Sequence, residues 1–181
     1  MVKIGEQMQI KTLRKNALIV LGLMLTVIAQ SAAQTSTQAA SVAAPAKDFT
    51  LKSREGPNIR LKELSGDVIL INFWASWCGP CRKELPKLED LHQKYKDLGV
   101  TIIGINVDVD PELSKILLKD HPVTFMVLYD PENNVSADYD IQAMPSTFLV
   151  DKNGLLRFRH NGYLAGYEHK YDAQIKQLLR E

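Results

Sequence analysis

The amino-acid sequence predicts an α/β fold: a mixed central β-sheet flanked by helices on both faces, with an added N-terminal β-hairpin. Three patterns carry that expectation. Residues 68–74 and 101–107 are almost continuously apolar, as strands buried on both faces are. The segment between them repeats apolar residues at helical spacing. Residues 146–150 and 155–160 are two further strand-like runs, joined by the turn sequence Asp151-Lys152-Asn153-Gly154. Strands joined through a helix pair in parallel and strands joined by a tight turn pair antiparallel, so the sheet is mixed.

Taken along the chain, Phe49-Thr50-Leu51 and Ile59-Arg60-Leu61 alternate apolar and polar around Ser53-Arg54-Glu55-Gly56-Pro57-Asn58, which reads as a hairpin. After the buried strand 68–74, Pro80 opens a helix running to about Asp97, with Leu85, Leu88, Leu91 and Tyr95 inward and Pro86 as a kink. The second buried strand leads to a helix over 111–120, capped by Asp110, with Leu113, Ile116 and Leu117 on its inner face. A short strand at 125–128 and a turn at 130–134 follow. After the second strand pair, 167–179 closes the chain as an amphipathic helix with Tyr171, Ile175, Leu178 and Leu179 inward.

A chain of 181 residues supports one domain with a full core. Its formal net charge is +1, but Lys3, Lys11, Arg14 and Lys15, against Glu6 alone, lie in the first 33 residues. The remainder holds 18 basic and 20 acidic residues, the wrong balance for a nucleic-acid reader.

The first 33 residues read as an export signal. Lys11, Arg14 and Lys15 precede an uncharged, mostly apolar run at 17–29, and Ser31 and Ala33 are placed for cleavage after Ala33. As a helix that run rises about 20 Å, short of a bilayer core of about 30 Å. A cleaved signal is therefore expected over its rival, an uncleaved N-terminal membrane anchor. No cysteine lies directly after the run, which argues against a lipoprotein anchor. Residues 34–47, rich in Ala, Ser, Thr and Gln, read as a flexible linker, and 48–181 as the folded domain.

The two cysteines, Cys78 and Cys81, are separated by two residues. A disulfide between them closes a tiny loop and adds little stapling entropy, so the pair reads as a redox switch. It stands where an apolar strand gives way to a helix. A helix N-terminus carries about half a positive charge and unpaired N–H groups, which lower a thiol's pKa. Cys78, the exposed first residue, is the expected nucleophile, and Cys81, one turn in, the resolving thiol. Arg82 and Lys83 add positive charge. A zinc site would need more soft ligands; no other cysteine exists, and His92, His121, His160 and His169 are scattered, each expected at a surface or interface.

The segment Phe73-Trp74-Ala75-Ser76-Trp77-Cys78-Gly79-Pro80-Cys81 resembles the active site of thioredoxins. Asn72 before it, Arg82-Lys83-Glu84-Leu85-Pro86 after it, and the stretch from Met144-Pro145-Ser146-Thr147 to Asn153-Gly154 resemble the TlpA-type branch. That branch comprises bacterial envelope thiol–disulfide oxidoreductases, including those serving cytochrome c maturation. The resemblance covers about residues 45–181. It implies the thioredoxin fold, with Pro145 as a cis-proline facing the dithiol and substrate contacts at Trp77, Gly79, Pro80, Met144 and Pro145. It also implies no cofactor or metal beyond the Cys78–Cys81 disulfide. The implied partners are disulfide-containing envelope proteins and a membrane thiol electron donor, for a monomer in the periplasm or another extracytoplasmic space. One departure stands out: thioredoxins carry a buried Asp six residues before the first cysteine, and this chain has Asn72, which cannot act as a base. Glu84, one turn beyond Cys81, is a possible substitute, though a Glu on a helix is more often solvated.

The Gly-Pro spacer resembles that of reducing thioredoxins, which favours a reductase. Two other functions compete. A thiol peroxidase of the peroxiredoxin-related class would need Pro at 71 and Thr at 75, where this chain has Ile71 and Ala75. A copper-binding thioredoxin-fold chaperone would space its cysteines by three residues. For the signal, the expected outcome is a mature protein beginning at Gln34, read by N-terminal sequencing of exported material; recovery of the full chain in carbonate-washed membranes indicates the anchor instead.

Overall fold

The computed structural model describes residues 44–181; the signal and most of the linker lie outside the described residues. Eight strands form one sheet: β1 (Ala44–Pro45), β2 (Thr50–Ser53), β3 (Asn58–Arg60), β4 (Val68–Trp74), β5 (Val100–Asn106), β6 (Met126–Tyr129), β7 (Ser146–Val150) and β8 (Leu155–Asn161). Four α-helices accompany them: α1 (Gly79–Tyr95), α2 (Pro111–Asp120), α3 (Asn134–Asp138) and α4 (Tyr167–Arg180). The spatial order is β1-β8-β7-β4-β5-β6-β2-β3. The pairs β4–β5 and β5–β6 are parallel and every other pair is antiparallel, so the sheet is mixed as its connections require.

All seven residues of β4 are buried, which follows from its place between β5 and β7 with layers above and below. On one face Asn72 and its cross-strand partner Thr147 point toward α1 and α4, reaching Glu84 and Tyr171. On the other, Phe73 and Phe148 pack against Tyr139 at the end of α3, with ring centroids 5.4 and 5.3 Å apart. The hairpin β2–β3 extends the sheet past β6, and β1, drawn from the end of the expected linker, pairs with β8 at the opposite edge.

Three expectations are corrected. In α2 the buried residues are Ser114, Leu117 and Leu118, whereas Leu113 and Ile116 are 45% and 59% exposed. Asp110 caps the helix as expected, its carboxylate accepting the Glu112 N–H at 3.0 Å. The rotation of the helix is set by its seat on the neighbouring elements, and small Ser114, with its hydroxyl bonded to the Pro111 carbonyl, lies in the contact instead of a leucine. Helix α3 begins inside the expected turn at 130–134. It is only five residues long, too short for a period, and is held by buried Asp130, which accepts from the N–H groups of Val135 and Ser136. His160, expected at a surface or interface, is buried against Tyr171 and bonded through Nε2 to Gln174.

Gly104 lies opposite Asn72 in the β4–β5 ladder. A Cβ there would stand 2.9 Å from the Phe125 ring and 3.0 Å from Trp74 Nε1, atoms of two fully buried side chains. Gly104→Ala is therefore expected to destabilise the fold by about 1–3 kcal/mol, measured as a lowered urea midpoint; an unchanged midpoint would show that the two rings can move apart.

Candidate active site

Strand β4 ends at Trp74, and α1 starts five residues later. The connecting loop is clamped from β5. The buried Asp108 carboxylate accepts from the Ser76 N–H at 3.0 and 3.2 Å, from the Ser76 hydroxyl at 3.0 Å and from Asn106 Nδ2 at 2.8 Å. Neither Asn106 nor Asp108 was foreseen as part of the site. The available signal is a pair of polar residues at the end of a buried parallel strand, where α/β sheets place their sites.

Cys78 is the N-cap of α1, in extended backbone conformation, and its Sγ accepts the Cys81 N–H at 3.2 Å. Proline at position 80 has no N–H of its own to satisfy in the first turn. The two cysteines are disulfide-bonded, with Cα atoms 5.3 Å apart. Cys81 is fully buried and Cys78 is 4% exposed, so the asymmetry has the expected sign but Cys78 is far from open to solvent. Trp77, beside it, is 65% exposed, and Gly79 and Pro80 are exposed too.

The Met144–Pro145 bond is cis. Pro145 lies one residue beyond the Phe73–Ser146 pair, hence level with the end of β4, and its carbonyl accepts the Gly162 N–H at 2.7 Å. Met144 and Trp77 line one groove of about 520 Å³, with Val107, Val109 and Ile141 among its other walls. The groove brings together the loop before Cys78 and the loop before β7, two of the segments singled out in the sequence. Among the described residues, no group of three or more His, Cys, Asp or Glu side chains could hold a metal ion.

Glu84 departs from the solvated helix-surface residue that is the commoner case: it is 1% exposed. Its Oε2 accepts from Asn72 Nδ2 at 2.8 Å, and its Oε1 accepts from the Tyr171 hydroxyl at 2.8 Å and the Thr147 hydroxyl at 3.2 Å. Burial drives its pKa up and the three donors pull it back, while the charge of Glu168 adds to the rise; the balance is a value pushed up to about 7. Burial wins because three neutral donors replace only part of the hydration of a full charge. Asn72 and Glu84 therefore meet: the strand position holds an amide, and the buried carboxyl beside it stands on the helix.

Such a carboxyl makes stability depend on pH. The unfolded chain releases its proton near 4.5, the folded chain near 7, so its contribution is fully present below 4.5 and is lost as pH rises through 7. The loss amounts to about 3 kcal/mol. Glu84→Gln removes it: the variant's thermal midpoint, relative to the unaltered oxidised protein, is expected to rise from pH 5 to about pH 7 and to level off above that. A constant difference across that range would mean that Glu84 is ionised throughout.

Comparison with known proteins agrees with this geometry. The model of the AhpC/TSA family matches residues 42–159. The thiol-disulfide oxidoreductase ResA of Bacillus cereus is 37% identical over 109 residues, 60% of this chain and 63% of that one. The chain thus spans less than two thirds of that relative's length. The ResA of Halalkalibacterium halodurans is 33% identical over 136 residues, 75% of each chain. A Chlorobium tepidum crystal structure, provisionally assigned as the thiol:disulfide interchange protein DsbE, superposes with a TM-score of 0.73 at 32% identity, over 76% of this chain and 96% of the other. By the family model, the sequence relatives and the shared fold, this chain belongs to the AhpC/TSA family of the thioredoxin superfamily.

Proposed function

We propose that the protein is a thiol–disulfide oxidoreductase that reduces disulfides of envelope proteins, those of cytochrome c maturation among them. One observation carries the reading: the only two cysteines are joined across the first turn of α1, with Cys78 Sγ facing the Cys81 N–H. That N–H and the helix N-terminus favour negative charge on sulfur. In the reduced protein the Cys78 thiolate attacks one sulfur of a substrate disulfide; the substrate's other sulfur leaves as thiolate, and a mixed disulfide forms. Cys81 then loses its proton and attacks Cys78 Sγ. The bond to substrate breaks, its electron pair leaves on the substrate sulfur, and the Cys78–Cys81 disulfide is left. Glu84, one turn along α1 and buried like Cys81, is the group placed to take the Cys81 proton. A membrane thiol donor returns the two electrons.

Substrate binds in the groove between Trp77 and Met144, whose open wall mixes Val107, Val109 and Ile141 with polar Asn133, Ser136 and Asp140 and so suits an extended polypeptide; Gly79, Pro80 and Pro145 are its further contacts. Neither metal nor cofactor takes part. The protein works as a monomer outside the cytoplasm, cleaved from its signal or held by it.

Peroxide reduction and copper carriage are the competing activities. Positions 71 and 75, where the peroxidase pattern requires Pro and Thr, are buried Ile71 and Ala75, and the cysteine spacing is one residue short of the copper carriers. Reduction of insulin disulfides, with hydrogen peroxide consumption and copper titration of the reduced protein alongside, separates the three. The expected outcome is insulin reduction alone, abolished by Cys78→Ser, with Cys81→Ser accumulating mixed disulfides. Preferential alkylation of Cys81 over Cys78 in the reduced protein would reverse the two roles.

A further inference from the structure

Four side chains from four elements meet at one buried point: Asn72 of β4, Glu84 of α1, Thr147 of β7 and Tyr171 of α4. Their hydrogen bonds are directional. Asn72 Nδ2 donates to Glu84 Oε2 and to Thr147 Oγ1, the Thr147 hydroxyl donates to Glu84 Oε1, and Tyr171 donates to the same Oε1. Every donor in the set faces the carboxylate, so each favours its ionised form. Two of the donors sit in the middle of paired central strands. Tyr171 is the third, and it alone comes from outside the sheet.

The phenol is suited to donate at any physiological pH. Burial and the nearby Glu84 charge both hold its proton on. Its ring is fully buried and fixed by His160, 5.0 Å away between centroids, which is in turn bonded to Gln174 of α4. The Tyr171 bond to Glu84 is also shorter than that from Thr147, 2.8 against 3.2 Å.

From this arrangement we infer that Tyr171 is a positioning residue for the redox step: by donating to Glu84 Oε1 it stabilises the carboxylate that receives the Cys81 proton, and so sets the pH at which the mixed disulfide is resolved. The inference rests on the reading of Glu84 as that proton acceptor. The step is balanced within the chain and its substrate. The Cys81 proton moves to Glu84, the Cys81–Cys78 bond forms as the Cys78–substrate bond breaks, and the electron pair leaves with the substrate sulfur, which is protonated from solvent. The charged and titratable groups around Glu84 are few. Glu168 on α4 acts against ionisation, and Tyr163, on the loop before α4, is bonded to Glu168 and keeps its proton. His160 on β8 is held toward its neutral form by burial. Apart from His160, the sheet contributes the uncharged Asn72 and Thr147, and α1 contributes Cys81 itself.

The test is a single-turnover measurement on the full-length reduced protein mixed with Ellman's reagent. Release of the second thionitrobenzoate reports the attack of Cys81 on the mixed disulfide at Cys78. Its rate against pH has a midpoint set by Glu84, because only the carboxylate can accept the proton. Tyr171→Phe removes one charge-assisted donor and is expected to move that midpoint up by about one pH unit. Site-specific 3-fluorotyrosine at position 171, the same shape with a more acidic hydroxyl, moves it down. Glu84→Gln abolishes the titration step, and Tyr171→Phe added to Glu84→Gln changes nothing further. A Tyr171 role confined to packing would slow the reaction equally at every pH. If the midpoint stays put in both the phenylalanine and fluorotyrosine proteins while Glu84→Gln removes it, the inference fails and the role of Glu84 stands. If Glu84→Gln leaves the midpoint where it was, that role fails, and the inference with it.

Discussion

The site depends on the burial of both faces of β4. A strand with no solvent face must be paired on both edges and covered on both sides, and β5, β7, α1, α4 and the α3 region do this. Within such a strand every polar side chain needs a partner, because an unpaired buried amide costs about 1–3 kcal/mol. Asn72 is the one amide in β4; Glu84 and Thr147 accept from its Nδ2, while its Oδ1 has no hydrogen-bond partner among the described residues. The same strand ends in the loop that carries Trp77 and Cys78. Packing of the core and placement of the sulfurs are therefore one constraint.

Two electrostatic influences act on the sulfurs in opposite senses. The N-terminus of α1 and the Cys81 N–H favour charge on Cys78 Sγ, an effect of about 0.3–2 kcal/mol for a group in the first turn. The buried carboxyl of Glu84 lies further along the helix, and once ionised it disfavours a second negative charge near Cys81.

Asp108 adds rigidity to this arrangement. Its carboxylate accepts from Ser76 in the loop after β4 and from Asn106 at the end of β5, so it ties the loop before Cys78 to the neighbouring strand. The opposite wall of the groove is held just as firmly, because Pro145 sits at the head of β7 and is tied back to Gly162. Trp77 and Met144 line the groove between these two loops.

Much of this was legible in the sequence, because it rests on local chemistry. The apolar run of β4, the Cys78-Gly79-Pro80-Cys81 turn opening a helix, the cap at Asp110 and the turn at Asp151–Gly154 each need only near neighbours to be recognised. The cis form of Pro145 was expected through family resemblance and not from spacing. What tertiary structure alone decided are the matters set by residues far apart in the chain. Glu84 becomes a buried carboxyl because Asn72, Thr147 and Tyr171, up to 87 positions away, close around it. Leu113 and Ile116 face outward because the seat of α2 on its neighbours, not its own period, chose the buried side. Local sequence determines whether a segment is helix or strand through backbone preference and periodicity; which of its side chains loses water depends on what packs over it, and that is a property of the assembled sheet.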